Sequence, residues 1–152
     1  MDAFSSFVAQ YLVALPVLVL GAYFLMQPRR EWKRLALFAI PAGLLTYLLG
    51  FVGNHVFFDP RPFVAGHFVP LIPHTPDNGF PSDHALFAAA FAAVGMFWNK
   101  WLGLVLWLAA LLIAVARVYV GLHHPLDVIG SMVFAIIATS AWWVALKYAW
   151  HA

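Results

Sequence analysis

The chain has 152 residues, of which 64% are hydrophobic and 9% charged, and its mean hydropathy is +0.88. A soluble domain carries about 25% charged residues, so this composition indicates an integral membrane protein with a single domain at residues 1–152. The net charge of +2 is too small and too dispersed for a nucleic-acid partner, and the absence of cysteine excludes disulfides and thiolate metal sites.

Five apolar segments predict an all-α membrane bundle with about five transmembrane helices. They cover residues 7–26, 35–58, 81–98, 101–116 and 128–146. The longer segments suffice to cross a hydrocarbon core of about 30 Å. Residues 59–80 form a long connection without periodicity, which is typical of a functional loop. Aromatic side chains near the end of the fifth segment are typical of a membrane-interface belt: Trp142, Trp143, Tyr148 and Trp150.

Basic residues are sorted to one end of this predicted bundle. Five spans place six of the eight lysines and arginines on the side that also holds the C-terminus: Arg29, Arg30, Lys33, Arg34, Lys100 and Lys147. The positive-inside rule makes that side cytoplasmic. The opposite side holds Arg61 and Arg117, together with most of the acidic residues and histidines. These two arginines depart from the rule and therefore mark an outward-facing functional site.

Three polar segments fall on this outer side and are expected to meet at one mouth of the bundle. They are residues 59–63 after the second span, residues 79–84 at the start of the third span, and residues 117–127 between the fourth and fifth spans. We expect Ser82 or Asp83 to cap the third span. The free N–H groups and the dipole of that helix would then favour a bound anion.

The third polar segment carries a pair suited to nucleophilic chemistry. If Pro125 opens a helix, His123 and Asp127 fall close to one face, a turn apart. The carboxylate can then orient the imidazole and stabilise its protonated form. Arg117 lies where the preceding span ends, and a guanidinium there can fork onto a phosphate.

The chemistry predicted from these residue types is phosphoryl transfer that needs no metal and no other cofactor. His123 would attack covalently, Arg61 and Arg117 would stabilise charge, and His84 would protonate the leaving group. The substrate that suits a site at the membrane surface is a lipid headgroup whose tail stays among the helices.

The three segments resemble the three signature motifs of the type 2 phosphatidic acid phosphatase superfamily. The first motif is a lysine followed by Arg-Pro, and the second is Pro-Ser-Gly-His. The third is Ser-Arg followed by a histidine and an aspartate. The matching residues are Arg61-Pro62, then Pro81-Ser82-Asp83-His84, then Arg117, His123 and Asp127. Residues 58–65 and 74–84 are more closely similar to the bacterial undecaprenyl-diphosphate phosphatases of that superfamily. The resemblance covers about residues 35–137, with the signature motifs within residues 54–127.

The resemblance implies a role for each matched residue. His123 would become a phosphohistidine, Asp127 would orient it, and His84 would protonate the leaving group and then activate water. The phosphate would be held by Arg61, Arg117, Ser82 and the backbone N–H of Asp83.

Three positions depart from the family pattern. The lysine of the first motif falls at Asn54, Asp83 replaces glycine in the second, and Ala116 replaces serine in the third. We interpret these departures as the mark of a diphosphate subgroup with different contacts. Asn54, His74 and Asp77 are therefore candidate substrate contacts.

The reaction implied by the resemblance converts undecaprenyl diphosphate to undecaprenyl phosphate and inorganic phosphate, which supports recycling of the envelope carrier lipid and resistance to bacitracin. The protein would be a multi-pass protein of the bacterial inner (plasma) membrane, with the site facing the periplasm or outside and the C-terminus in the cytoplasm. Phosphatidylglycerophosphate and phosphatidate are the alternative substrates. Glycine-rich helix faces permit a homodimer.

Four other classes of protein fit parts of the pattern. A metal site would use the histidines and aspartates, but the arginines would repel a cation and no helix carries a close ligand pair. A proton-coupled transporter would need ionisable groups at mid-span. A serine hydrolase using Ser82 and His84 lacks a nucleophile elbow, and vanadate haloperoxidases of similar pattern are soluble. We interpret His67, His124 and His151 as structural or interfacial.

Overall fold

The computed structural model describes residues 1–149, and every regular element in that range is an α-helix. The helices are α1 (Asp2–Tyr11), α2 (Ala14–Met26), α3 (Arg29–Val56), α4 (Pro62–Ala65), α5 (Asp83–Trp98), α6 (Lys100–Tyr119) and α7 (Pro125–Ala149). An isolated bridge pairs Pro60 with Asn78 across the long loop. The all-α prediction is therefore confirmed. Trp150, assigned to the aromatic belt, and His151, assigned a structural role, lie outside the described residues.

The described residues contain three to four candidate membrane spans and one shorter apolar helix, where about five spans were predicted. The helices α3, α6 and α7 are each long and apolar enough to cross a membrane. The helices α1 and α2 meet the same requirement only as a pair, which is bent by 46°. The helix α5 has 16 residues, or about 24 Å at 1.5 Å per residue, which is less than the thickness of the hydrocarbon core.

The first predicted span, residues 7–26, is broken and falls mostly within the bent pair of helices α1 and α2. Pro16 explains the break, because proline has no N–H to donate to the carbonyl four residues earlier. That carbonyl belongs to Leu12 and accepts instead from the N–H of Leu15 at 2.9 Å. This tighter turn ends the α-helical ladder of hydrogen bonds, and α2 then resumes with Pro16 buried.

Other helix ends follow from the local sequence. The side chain of Asn99 accepts hydrogen bonds from the N–H groups of Trp101 and Leu102 and so caps the start of α6. The helix α7 begins at Pro125, as predicted. The helix α3 starts at Arg29, earlier than the predicted boundary, because the turn at Pro28 leads directly into it.

The short helix α5 packs against α6, α7, α3 and α2 and so occupies the centre of the bundle. Most of its buried residues are alanines: Ala85, Ala88, Ala89, Ala90, Ala92 and Ala93. Small side chains allow helix backbones to approach closely, which is how helices associate in lipid without a hydrophobic driving force. On the α6 side the approach is so close that a Cβ on Gly103 would collide with the backbone of Met96. The start of α5 is therefore held in place by several other helices.

Gly103→Ala should destabilise the folded protein by about 1–3 kcal/mol, because the added methyl group forces α5 and α6 apart. The matched control is Gly43→Ala in α3, where a Cβ meets nothing within 4 Å and alanine gains up to about 1 kcal/mol of helix propensity. Thermal melting of detergent-purified protein should place the first variant below the wild type and the second at or above it. Equal melting temperatures for the two variants would contradict this account of the packing.

Candidate active site

The polar residues that the sequence singles out come together at one end of the bundle. Arg61 immediately precedes α4, Ser82 immediately precedes α5, and Arg117 lies in the last turn of α6. His123 lies in the connection between α6 and α7, and Asp127 is in the first turn of α7. All five residues are buried. Buried arginine and aspartate are rare unless they are paired, so the cluster needs a chemical explanation.

The imidazole of His123 is held in one tautomer by its neighbours. Its Nε2 lies 3.2 Å from Arg61 Nη1 and 3.2 Å from Arg117 Nη2. Since a guanidinium can only donate hydrogen bonds, Nε2 must accept them with its lone pair. The proton is then on Nδ1, which donates to the backbone carbonyl of Gly79 at 2.9 Å. Burial lowers the pKa of His123, and the charges of the arginines lower it further against the opposing effect of Asp127, so the ring is neutral and nucleophilic near pH 7.

Asp127 lies on the Nδ1 side of the same ring. Its Oδ2 is 3.4 Å from His123 Nδ1 and accepts a 2.8 Å hydrogen bond from the backbone N–H of His124. The closer acceptor for the Nδ1 proton is the carbonyl of Gly79, which the sequence analysis did not identify. Both acceptors favour the protonated imidazole that forms when Nε2 bonds to phosphorus, because each faces the N–H that then carries positive charge.

The guanidinium of Arg61 is fixed by acceptors on two sides. Its Nε donates to Asp77 Oδ1 at 2.5 Å, and its Nη1 donates to the backbone carbonyl of Leu122 at 3.0 Å. Burial raises the pKa of Asp77, but the hydrogen bonds from Arg61 and Thr75 and the charge of Arg61 outweigh burial and hold this pKa below its ordinary value. Asp77 therefore remains ionised and keeps Arg61 aimed at His123.

Arg117 has no such carboxylate. Its Nη1 donates to the backbone carbonyl of Ala9 at 3.4 Å, and its Nε has no hydrogen-bond partner. Among residues 1–149, no acidic side chain forms an ion pair with it. The charge of the exposed Asp83 reaches Arg117 without forming an ion pair, and a buried cation without an ion-paired carboxylate is costly, so the free energy of this site falls when an anion enters.

The start of α5 contributes a hydroxyl and a second histidine. Ser82 occupies the N-cap position, but its side chain makes no capping hydrogen bond, so the predicted side-chain cap is wrong. The buried Ser82 Oγ has no partner among the described residues, and it is available to a ligand. Asp83 is exposed at the first position of the helix. His84 is half-buried against the backbone of Gln10, where the charges of Arg117 and His123 reach it.

The three candidate substrate contacts are engaged with the protein itself. Asn54 Nδ2 donates to the carbonyl of Phe80 at 2.8 Å, so it ties α3 to the loop that carries the second motif. Asp77 holds Arg61, as described above. The Nδ1 of His74 lies 3.2 Å from the carbonyl of Thr75 and 3.9 Å from Asp77. These contacts give the three residues a structural task, and direct contact with substrate stays a prediction.

A second histidine–carboxylate pair lies beside the first and was missed in the sequence. His124 Nδ1 is 3.0 Å from Asp59 Oδ2, whereas the sequence analysis assigned His124 a structural or interfacial position. The side-chain ligand atoms of Asp59, His124 and Asp127 lie within 4.8 Å of one another, a spacing that a metal ion could occupy. In this structure Asp59 and His124 are hydrogen-bonded to each other, and Asp127 Oδ2 accepts a hydrogen bond from the backbone N–H of His124.

Comparison with known families matches residues 35–151 to the model of the PAP2 superfamily. A helical membrane bundle whose loops bring two arginines and a histidine together defines the class of the protein as a membrane phosphatase. The chain belongs to the PAP2 superfamily. The family and the class of enzyme predicted from the three motifs are thereby confirmed.

The chain is also similar to several individual proteins. The undecaprenyl-diphosphatase BcrC of Bacillus subtilis (strain 168) is 36% identical over 137 residues, which cover 90% of this chain and 70% of that protein. The bacitracin transport permease protein BcrC of Bacillus licheniformis is 32% identical over 146 residues, covering 93% and 70% respectively. The crystal structure of Aquifex aeolicus LpxE is similar with a TM-score of 0.74 at 27% identity, covering 93% of this chain and 84% of that one.

Asp77→Asn should lower kcat/KM for a lipid phosphate about tenfold, because Arg61 Nε loses a charged acceptor worth about 1.5 kcal/mol. Asp77→Glu keeps the carboxylate and should restore much of the loss. Asp2→Asn is the matched control, since it removes the same charge from a carboxylate that contacts Tyr119 and no arginine. Release of inorganic phosphate measures all three variants. If Asp77→Asn matched Asp2→Asn in activity, Asp77 would have no role in positioning Arg61.

Proposed function

We propose that this protein hydrolyses a membrane lipid diphosphate through a phosphohistidine on His123, without a metal. The observation that carries the proposal is the lone pair of His123 Nε2, which faces Arg61 Nη1 and Arg117 Nη2 at 3.2 Å each. A phosphoryl group that displaces these hydrogen bonds meets the nucleophile and two cations together. Such positioning and preorganised charge stabilisation account for most of the catalysis of phosphoryl transfer.

In the proposed first step, a bond forms between His123 Nε2 and the terminal phosphorus while the bridging P–O bond breaks. Arg61 and Arg117 stabilise the charge on the phosphoryl oxygens, with the Ser82 hydroxyl as a further donor. The negative charge of the bound diphosphate favours the protonated form of His84, which then gives its proton to the departing oxygen of the lipid monophosphate. The positive charge that develops on the imidazole is met at Nδ1 by the carbonyl of Gly79 and by the carboxylate of Asp127.

In the proposed second step, water attacks the phosphohistidine on the side from which the lipid has left. His84 now accepts a proton from that water, which is the reverse of its first role. The P–N bond breaks, inorganic phosphate forms, and the lone pair returns to His123 Nε2. Atoms and charge balance without any metal, which agrees with the positive charge already present on the two arginines.

The substrate we propose is undecaprenyl diphosphate, and the product is the undecaprenyl phosphate that carries envelope precursors. Support comes from the Bacillus subtilis relative, whose name gives this activity, and from the Bacillus licheniformis relative, whose name refers to bacitracin. The enzyme would act in the bacterial plasma membrane, with its site facing outside and its C-terminus in the cytoplasm. The excess of lysine and arginine at the opposite end of the bundle favours this orientation.

Transport is the second candidate function, and one relative is named a bacitracin transport permease protein. A buried His123–Asp127 pair is also of the kind that relays protons inside membranes. The position of this pair at the ends of helices, and not midway along them, favours hydrolysis. Transport would require ionisable groups along a path across the bundle.

His123→Ala should reduce phosphate release about 10³-fold or more, because loss of a covalent nucleophile removes the whole pathway. With radiolabelled substrate, the wild type should carry acid-labile, base-stable phosphate and the variant none. His55→Ala is the control, since the ring of this exposed histidine hydrogen-bonds to the carbonyl of Phe51 in the same helix and packs against the ring of Phe51. An active His123→Ala protein, or a phosphoenzyme that survives in it, would refute the assignment of the nucleophile.

Undecaprenyl diphosphate should be hydrolysed with a kcat/KM about tenfold or more above that of phosphatidate and phosphatidylglycerophosphate, and a chelator should change none of the three rates. Detergent assays with all three lipids, with and without the chelator, measure this. A preference for phosphatidate would move the protein to the alternative substrate class. Loss of activity on chelation that a divalent ion restores would instead favour a metal held by Asp59, His124 and Asp127.

A further inference from the structure

A cavity lies at the other end of the bundle, far from His123. Its volume is about 890 Å³, and it is bounded by the start of α3, the end of α5 and the end of α7. Along α7, Lys147 at this cavity lies about 30 Å from Asp127 at the active site, at 1.5 Å per residue. The size is within the range of cavities that hold small-molecule ligands.

The lining of this cavity is basic at the rim and apolar on the wall. The rim carries four cationic side chains and one carboxylate: Arg30, Lys33, Arg34, Lys147 and Glu31. The wall is aliphatic and aromatic: Leu37, Phe38, Phe97, Trp98, Trp142, Trp143 and Leu146. Glu31 lies 3.7 Å from Arg30, and no carboxylate among residues 1–149 forms an ion pair with Lys33 or Lys147. The rim therefore has an excess of positive charge above an apolar wall.

Tryptophan side chains at this cavity contact a cation of the rim and a neighbouring helix. Lys147 Nζ lies 4.2 Å from the ring centroid of Trp143, which is a cation–π distance. Trp142 donates its indole N–H to the carbonyl of Leu37 at 3.1 Å and so joins α7 to α3. Tryptophan is enriched where a membrane meets water, and this position would place the cavity rim among lipid headgroups.

The positive-inside rule alone does not account for this grouping. Arg29 and Lys100 belong to the same basic end, yet neither lines the cavity. Lys100 even repeats the pairing of an ammonium with a tryptophan, since its Nζ lies 5.5 Å from the ring of Trp101. Orientation requires only that basic residues be on the cytoplasmic side, whereas four of them surround one cavity with an apolar wall.

We propose that this cavity binds the phosphate headgroup of an anionic glycerophospholipid of the surrounding leaflet, with the first part of an acyl chain against the apolar wall. Charge complementarity selects an anion, and basic pockets between transmembrane helices recognise anionic lipid headgroups in this way. The apolar wall selects a lipid over a free phosphate ion. The bound lipid would join α3, α5 and α7, and the opposite ends of α5 and α7 carry His84 and Asp127. Binding should therefore stabilise the folded bundle.

The experiment uses the full chain in an uncharged detergent, with dioleoyl phosphatidylglycerol, dioleoyl phosphatidylcholine or inorganic phosphate added. Phosphatidylglycerol should raise the melting temperature by several degrees and remain bound in native mass spectrometry, and phosphatidylcholine should do neither. Inorganic phosphate, which can enter the His123 site, should shift the melting temperatures of the wild type and of Lys33→Gln/Lys147→Gln equally. The double variant Lys33→Gln/Lys147→Gln should bind phosphatidylglycerol at least about tenfold more weakly than the wild type does. Its matched control is Arg29→Gln/Lys100→Gln, which removes two charges from the same end outside the cavity and should bind as the wild type does.

Each other outcome counts against the proposal. Equal weakening in both double variants would mean that general charge at this end attracts the lipid. Equal stabilisation by phosphatidylcholine would mean that the cavity only accommodates acyl chains, and a stabilisation by inorganic phosphate that the Lys33→Gln/Lys147→Gln protein loses would mean a free-anion site. If the Lys33→Gln/Lys147→Gln protein does not fold, the two single variants replace it, and each should weaken binding about threefold; unchanged binding in both would refute the site.

Discussion

Two buried guanidinium groups that share one imidazole nitrogen are the constraint on which the rest of this site depends. Like charges a few ångströms apart repel by about 4 kcal/mol even at an effective dielectric constant of 20. Among residues 1–149, Arg61 is paired with the carboxylate of Asp77, whereas Arg117 forms no ion pair and is held by the backbone of Ala9 and by His123. The folded bundle therefore maintains an arrangement that is electrostatically unfavourable until an anion arrives. Binding of a phosphate therefore offsets the repulsion between the two cations.

The loop at residues 59–80 keeps this arrangement in place, and Asn78 fixes the loop. The side-chain oxygen of Asn78 accepts from the N–H groups of Asp59 and Phe80, and its amide nitrogen donates to the carbonyls of Asn54 and Phe57. These four bonds attach the loop to the end of α3 and fix the backbone next to Gly79. The carbonyl of Gly79 in turn orients His123. At the position of the family lysine, Asn54 thus serves the geometry of the loop, and positive charge at the site comes from the two arginines.

Hydropathy and motif spacing were sufficient to predict the helices, the family and the group of residues that meet at one end of the bundle. They were not sufficient for the details that depend on backbone atoms or on competing partners. The hydrogen bond from His123 to the backbone carbonyl of Gly79 involves no side chain of that residue, so the sequence does not indicate it. Ser82 makes no capping hydrogen bond, although serine usually prefers that role. His124 pairs with Asp59 across the long loop, a contact between distant parts of the chain that local periodicity cannot reveal. The interruption of the first apolar segment follows from the chemistry of Pro16, whereas the bend of 46° between α1 and α2 could not be predicted from hydropathy.

The two ends of the bundle are suited to anions by different physical means. At the His123 end the arginines are buried, so few ions screen them, and a phosphate must fit donors whose positions are already fixed. At the opposite end the cations lie at the rim of an open cavity, where salt screens them and their flexible side chains adapt to a headgroup. A fixed, desolvated site suits bond cleavage, because catalysis requires charge stabilisation without reorganisation. An adaptable, solvated site suits retention of a lipid, because affinity there rests on net charge and on apolar contact and not on one exact geometry.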